Sequence, residues 1–308
     1  MKKSIIIPAL FSMVLSSCTI NIFSNGDDSS SSNEYSSNES SKNDDMNIVP
    51  DGYDLLYWSD EFSGTALGNH WEAMIGDGSN YGNYRWGNNE EQFYKKENAF
   101  VYNDQLHIVA IRERNVTEKE EVYEYSSARI VTKGKVFTTY GYFVARIKLP
   151  VGTGLWPAFW MLPENNYQHR WWPDSGEIDI MEARGRIPNA FGSTIHTANA
   201  NHQDIFRSKE YNFNNSDISE YHDYGVLWDE NGFKFYIDGE MFFEVTPSQY
   251  QNNNAFYSDN SPQAPFDQPF HIIFNLAIGG VYDNGRSVDE DFQEAEMLVD
   301  YVRIYKKD

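Results

Sequence analysis

The sequence predicts an all-β fold, a two-sheet β-sandwich or jelly roll. Short strand-like runs recur between turn residues, no segment sustains a helical period, and aromatic residues make up 16% of the chain. In chain order, residues 105–111 (QLHIVAI), 141–148 (GYFVARIK), 177–181, 224–228, 233–237, 270–276 and 297–305 have strand length and composition. Within 141–148, Phe143, Ala145 and Ile147 alternate with Tyr142, Val144 and Arg146, as a half-buried strand requires. Asp238-Gly239, between FKFYI (233–237) and MFFEV (241–245), marks a hairpin. Many short strands with polar turns and almost no helix pack as two sheets around one core. If one sheet curves, its concave face becomes a groove for a long polymer. An open groove of that kind suits attack within a chain, whereas a closed pocket suits removal of end units.

Composition narrows the function. The 308 residues carry 24 Lys and Arg against 46 Asp and Glu, a formal charge of -22. Such a chain is repelled by nucleic acid and anionic lipid, so neither is an expected partner. The 8 Trp and 21 Tyr suit a bulky sheet core, a sugar-binding cleft lined with flat rings, or both.

The single cysteine, Cys18, excludes an intramolecular disulfide. It follows Met1-Lys2-Lys3, a largely apolar run over 5–15, and Ser16-Ser17. This is the pattern of a secretory leader. Leu15-Ser16-Ser17-Cys18 resembles the bacterial lipobox, which implies a lipidated Cys18 as the first mature residue; the alternative is a plain leader with a chance cysteine. The expected organisation is a lipoprotein signal peptide over 1–17, a lipid-bearing, Ser/Asn/Asp-rich tether over 18–49, and one domain over 50–308. The apolar run is short for a spanning helix, so the expected location is a bacterial membrane surface, reached through the lipid.

The chemistry concentrates in G-E-I-D-I-M-E-A-R-G, residues 176–185. Alternate side chains of a strand share a face, so Glu177 and Asp179 point one way while Ile178 and Ile180 point to the core. In a regular strand Glu182 would join the core face, where an unpaired carboxylate is costly. One extra residue, a β-bulge around Met181, returns Glu182 to the face of the other two acids. The two glutamates then behave as positions four apart, and inward-leaning side chains could bring their carboxyl groups within roughly 5 to 6 Å, the spacing of retaining glycoside hydrolysis.

Other segments extend the pattern: Asp60-Glu61-Phe62, W-G-N-N-E-E-Q-F-Y (86–94), S-A-R-I-V-T-K-G-K (127–135), G-L-W-P-A-F-W-M-L-P (154–163), N-L-A-I-G-G (275–280) and V-D-Y-V-R-I-Y (299–305). Across essentially the whole domain the chain resembles glycoside hydrolase family 16, above all its bacterial laminarinases, the endo-1,3-β-glucanases. The resemblance implies a β-jelly roll with a concave substrate cleft and retention of configuration. Glu177 matches the nucleophile, Glu182 the general acid/base and Asp179 the carboxyl group between them. The implied substrate is laminarin-like or mixed-linkage β-glucan. The alternatives are the same machinery acting on a galactan such as agar or carrageenan, or a surface glucan-binding protein without catalysis.

Trp156, Trp160 and Trp172 are the candidate sugar platforms, with Trp160 expected to be the most buried of the three. Asn89, Glu90 and Arg129 fall in segments that line the family's cleft and are candidate hydroxyl partners, and His196 is expected beside the acids. No zinc or redox-metal spacing occurs, and the mechanism needs no cofactor. The resemblance also implies a structural calcium on the convex side, with Asp300 as a ligand and Glu61 as a looser candidate. A monomer is expected.

Overall fold

The strand-like runs of the sequence pair into two sheets whose apolar faces meet in one core. The computed structural model describes residues 48–117 and 120–308; Cys18, the leader and most of the tether lie outside them. The strands are β1 (Leu55–Asp60), β2 (Glu72–Ala73), β3 (Gln92–Tyr94), β4 (Ala99–Tyr102), β5 (Gln105–Val116), β6 (Val122–Ser127), β7 (Arg129–Val131), β8 (Phe137–Thr138) and β9 (Gly141–Lys148). They continue as β10 (Leu155–Pro163), β11 (Glu177–Glu182), β12 (Ala190–Ala198), β13 (Asp204–Asn212), β14 (His222–Asp229), β15 (Gly232–Ile237), β16 (Glu240–Val245), β17 (Phe270–Ile278) and β18 (Glu294–Lys306). One sheet runs β16-β15-β14-β9-β18-β5-β6-β3, with β1 beside β18 and β4 beside β5. The other runs β13-β12-β11-β10-β17-β7-β2, with β8 beside β17. The result is the expected two-sheet jelly-roll sandwich.

Local chemistry explains the pieces. Asp238 (φ 49°) and Gly239 (φ 80°) both take the left-handed conformation that a tight two-residue turn needs, and the turn joins β15 to β16. Among the described residues α-helix is confined to two short segments, α1 (Pro247–Gln251) and α2 (Ala255–Ser258), beside single turns of 3-10 helix. Thr246 and Gln249 form a capping box on α1, and Asn254 caps α2. At this length neither leaves a helical period in the sequence.

Phe143, Ala145 and Ile147 from β9 meet Phe159, Ile178, Phe274 and Leu276 from the opposite sheet, all fully buried. Burial of side chains this large contributes about 1.5–3 kcal/mol apiece. One expectation needs correction: β9 is buried on both faces rather than half-buried. Tyr142 and Val144 on its outer side are covered by Ile48 and Tyr53 of the segment preceding β1, in a second small cluster with Leu227 and Tyr301.

Candidate active site

The acidic strand β11 lies inside its sheet, between β10 and β12, so its backbone is held on both edges. Its pairing contains the irregularity that the side-chain pattern demands. Against β12, Asp179 faces Thr194 and Glu182 faces Gly192, three steps on one strand for two on the other. Against β10, Met181 faces Phe159 while Asp179 faces Trp160, two steps for one. The extra residue falls at Ile180–Met181, and both side chains enter the core with 1% and 0% exposure. Glu182 consequently turns back to the side of Glu177 and Asp179. All three acids line one open recess of about 320 Å³ with Asn88, Glu90, Arg129, Trp156, Ala158, Trp160 and Asn275.

Burial first, and mutual repulsion second, raise the pKa values of all three acids. Glu182 is pushed up to about 7 by burial and the charge of Glu177. Glu177 and Asp179 are both raised, chiefly by burial, and a hydrogen bond between them favours the proton on Glu177 and the charge on Asp179. The two carboxyl groups interact strongly enough to titrate as a pair. His196, opposite Glu177 on β12, closes the group: its Nε2 lies 3.3 Å from Asp179 Oδ2 and its Nδ1 lies 3.0 Å from Asp204 Oδ1. Burial works against the imidazolium, but the two carboxylates prevail and hold its pKa up to about 11.

The aromatic and polar surroundings have distinct tasks. Trp156 Nε1 donates to Glu182 Oε1 at 2.9 Å, and its ring stacks on Tyr282 at 5.1 Å. Gly280 (φ 80°) passes so close that a Cβ would come within 2.8 Å of the Trp156 ring, so glycine is needed there on two counts. Trp160 Nε1 donates to Asn275 Oδ1 at 2.7 Å, and Asn275 in turn donates to the Tyr94 hydroxyl. The Tyr94 hydroxyl and Gln92 both donate to the buried Glu90 carboxylate. The Arg129 guanidinium lies 4.6 Å from the ring centres of both Trp86 and Trp160. Its charge favours the ionised forms of Glu90 and Glu177, against the burial that raises both pKa values.

The residues predicted from sequence divide accordingly. Glu177, Asp179, Glu182, Trp156, Trp160, Glu90 and Arg129 line the recess, and His196 touches Asp179. Trp172 is not among the residues lining the recess; it is half-exposed, with its ring 6.2 Å from that of His196. The order of burial among the tryptophans is corrected: Trp156 is buried and Trp160 partly open, because Trp156 is clamped between Tyr282 and Gly280.

Asn89 is also corrected. It turns out to solvent with φ 57°, and its neighbour Asn88 lines the recess instead. Asn275 and Tyr282 were missed as individual residues; Asn275 sits in N-L-A-I-G-G, whose first position is its only polar side chain.

The two calcium candidates do not compose a site through their side chains. Both Glu61 oxygens accept from Arg303 at 2.9 Å, and Asp300 lies 3.8 Å from Arg146. Among the described residues the one cluster of three metal-ligating side chains is Glu177, Asp179 and His196. There both imidazole nitrogens already face carboxylates.

A β-sandwich carrying paired glutamates across an open, tryptophan-lined recess has the form of a glycoside hydrolase. Comparison with known proteins gives the family: the profile of glycosyl hydrolases family 16 matches residues 83–303, and the chain belongs to that family. It is similar to glucan endo-1,3-beta-glucosidase A1 of Niallia circulans, 40% identical over 82% of this chain and 38% of that protein. It is 37% identical to a beta-glucanase of Rhodothermus marinus, over 82% of this chain and 85% of that one. Among solved structures, the endo-beta-1,3-glucanase from Pyrococcus furiosus aligns with a TM-score of 0.70 at 37% identity, over 82% of this chain and 94% of that one. The chain thus spans well under half of the first relative and most of the other two. Family members need no cofactor for catalysis.

Proposed function

We propose that the protein is a retaining endo-1,3-β-glucanase acting on laminarin-like or mixed-linkage β-glucan. The observation that carries this reading is the bulge at Ile180–Met181, which sets Glu182 beside Glu177 in a recess open to solvent. Glu177 attacks the anomeric carbon as its shared proton passes to Asp179, while protonated Glu182 gives its proton to the departing glycosidic oxygen. Water then attacks the glycosyl-enzyme, and Glu182, now ionised and hydrogen-bonded to Trp156, takes the water's proton. A Glu182 pKa near 7 suits both duties at neutral pH.

Similarity to glucanases from three organisms supports glucan over galactan. A sulfated galactan is further disfavoured by the chain's charge of -22. Retention of all three acids argues against binding without cleavage. Incubation with laminarin, lichenan, agarose and carrageenan, with products resolved by size, tests the reading. Mixed oligosaccharides from laminarin support it, and turnover of galactans alone replaces it.

On the Leu15-Ser16-Ser17-Cys18 motif we also propose lipid on Cys18 and attachment to a membrane surface through residues 18–49. Loss of membrane fractionation in Cys18→Ser supports the anchor; unchanged fractionation removes it. No structural calcium is proposed, because the Glu61 and Asp300 side chains both face arginines.

A further inference from the structure

We propose that Asp204, on the edge strand β13, is a positioning residue of catalysis: it holds His196 as an imidazolium whose Nε2–H faces Asp179, leaving the other Asp179 oxygen to share a proton with Glu177. The inference deepens the proposed glucanase reading and rests on it for its kinetic half.

The geometry is a relay across three adjacent strands. Asp204 presents both carboxylate oxygens to His196 Nδ1, at 3.0 and 3.1 Å. On its other side His196 Nε2 lies 3.3 Å from Asp179 Oδ2, a buried oxygen with no hydrogen-bond partner, so the two meet as an ion pair. A carboxylate accepts and never donates when ionised, so an imidazole flanked by two of them is favoured with both nitrogens protonated. A neutral ring with Nδ1–H turned to Asp204 would instead aim a lone pair at Asp179. It would then compete for the proton that Glu177 and Asp179 hold between them. Asp204 prevents this by supplying the second negative charge.

The groups facing His196 are few. Glu177 and Asp179 face it from β11, and Asp204 from β13. Its remaining ring neighbours are uncharged, Trp172 from the preceding loop at 6.2 Å and Phe206 on β13 at 5.8 Å. Among the described residues Asp204 alone pairs with His196 Nδ1, so at that nitrogen its charge has no substitute. It lies eight positions beyond His196 on a strand with no distinctive motif, and nothing in the sequence singles it out.

The test combines histidine ¹⁵N NMR of the full chain with pH profiles of kcat and KM on laminarin, for the parent, Asp204→Asn and Asp204→Glu. In the parent, His196 is expected to stay doubly protonated through pH 9. In Asp204→Asn its midpoint falls into the ordinary histidine range, to about 7, and the ratio of kcat at pH 8 to that at pH 6 drops about tenfold below the parent's ratio, with KM within twofold. Asp204→Glu, which keeps the charge, restores most of the parent profile. A neutral His196 in the parent at pH 8, or an unmoved midpoint in Asp204→Asn, overturns the proposal whether or not glucan is cleaved. Equal damage in Asp204→Asn and Asp204→Glu, carried in KM, also overturns it. A parent that shows the NMR shift but leaves laminarin intact supports the imidazolium and counts against the proposed substrate alone.

Discussion

Replacing Trp156 by Phe isolates one hydrogen bond at the acid/base. The indole N–H donates to Glu182 Oε1 at 2.9 Å and can only donate, so it stabilises the carboxylate and not the acid. Phe keeps a ring against Tyr282, on which the Trp156 ring stacks at 5.1 Å, and removes the donor alone. A hydrogen bond to a charged group contributes about 1.5–3 kcal/mol, which corresponds to roughly one to two pH units. Glu182, already held near 7 by burial and the charge of Glu177, is therefore expected to titrate at least about one unit higher. Because Glu182 acts as an acid, the alkaline limb of kcat moves up in pH by that amount.

The stability sign is also fixed. A carboxyl group whose folded pKa exceeds its unfolded value costs stability as pH rises from the unfolded to the folded pKa. The loss in Tm of Trp156→Phe is thus larger at pH 8 than at pH 5. The assay is reducing-sugar release from laminarin between pH 4.5 and 9.5, with thermal melts at both ends. An alkaline limb that stays in place or moves down refutes the role given to this bond.

Further outcomes follow from the same site. Glu177→Gln and Glu182→Gln each lose about 10²-fold or more in kcat while staying folded; near-normal turnover by either removes that residue from the mechanism. Since burial and Asp179 raise the Glu177 pKa, Glu177→Gln also melts higher than the parent at pH 8, by a margin that shrinks toward pH 5, and differential scanning calorimetry reads it. Deleting Met181 turns E-I-D-I-M-E into E-I-D-I-E, a regular strand that still presents its second glutamate to the cleft. That variant keeps measurable hydrolysis and loses about 2–5 kcal/mol of stability with its buried side chain.

Much of this was legible before any coordinates. The period-two alternation, the Asp-Gly turn and the cost of burying Glu182 are local facts, so strands, hairpin and bulge could be read from neighbouring residues alone. What escaped was set by contacts distant in sequence. The double-sided burial of β9 depends on Ile48 and Tyr53, nearly a hundred residues earlier. The order of exposure of Trp156 and Trp160 depends on Tyr282 and Gly280. Asn88 replaces Asn89 in a turn where Arg85, Trp86, Gly87 and Asn89 all take left-handed φ, so simple alternation does not tell which neighbour faces inward. Asp204 gains its place only through the pairing of β12 with β13, in which Ala198 lies opposite it.

Stereochemistry gives the sharpest check on the pair of glutamates. Proton NMR during the first seconds of laminarin hydrolysis reports the anomer released before mutarotation. Glu177 and Glu182 facing each other across one sugar require the β-anomer first. Initial appearance of the α-anomer would mean a water fits between them, and the covalent route assigned to Glu177 would be wrong.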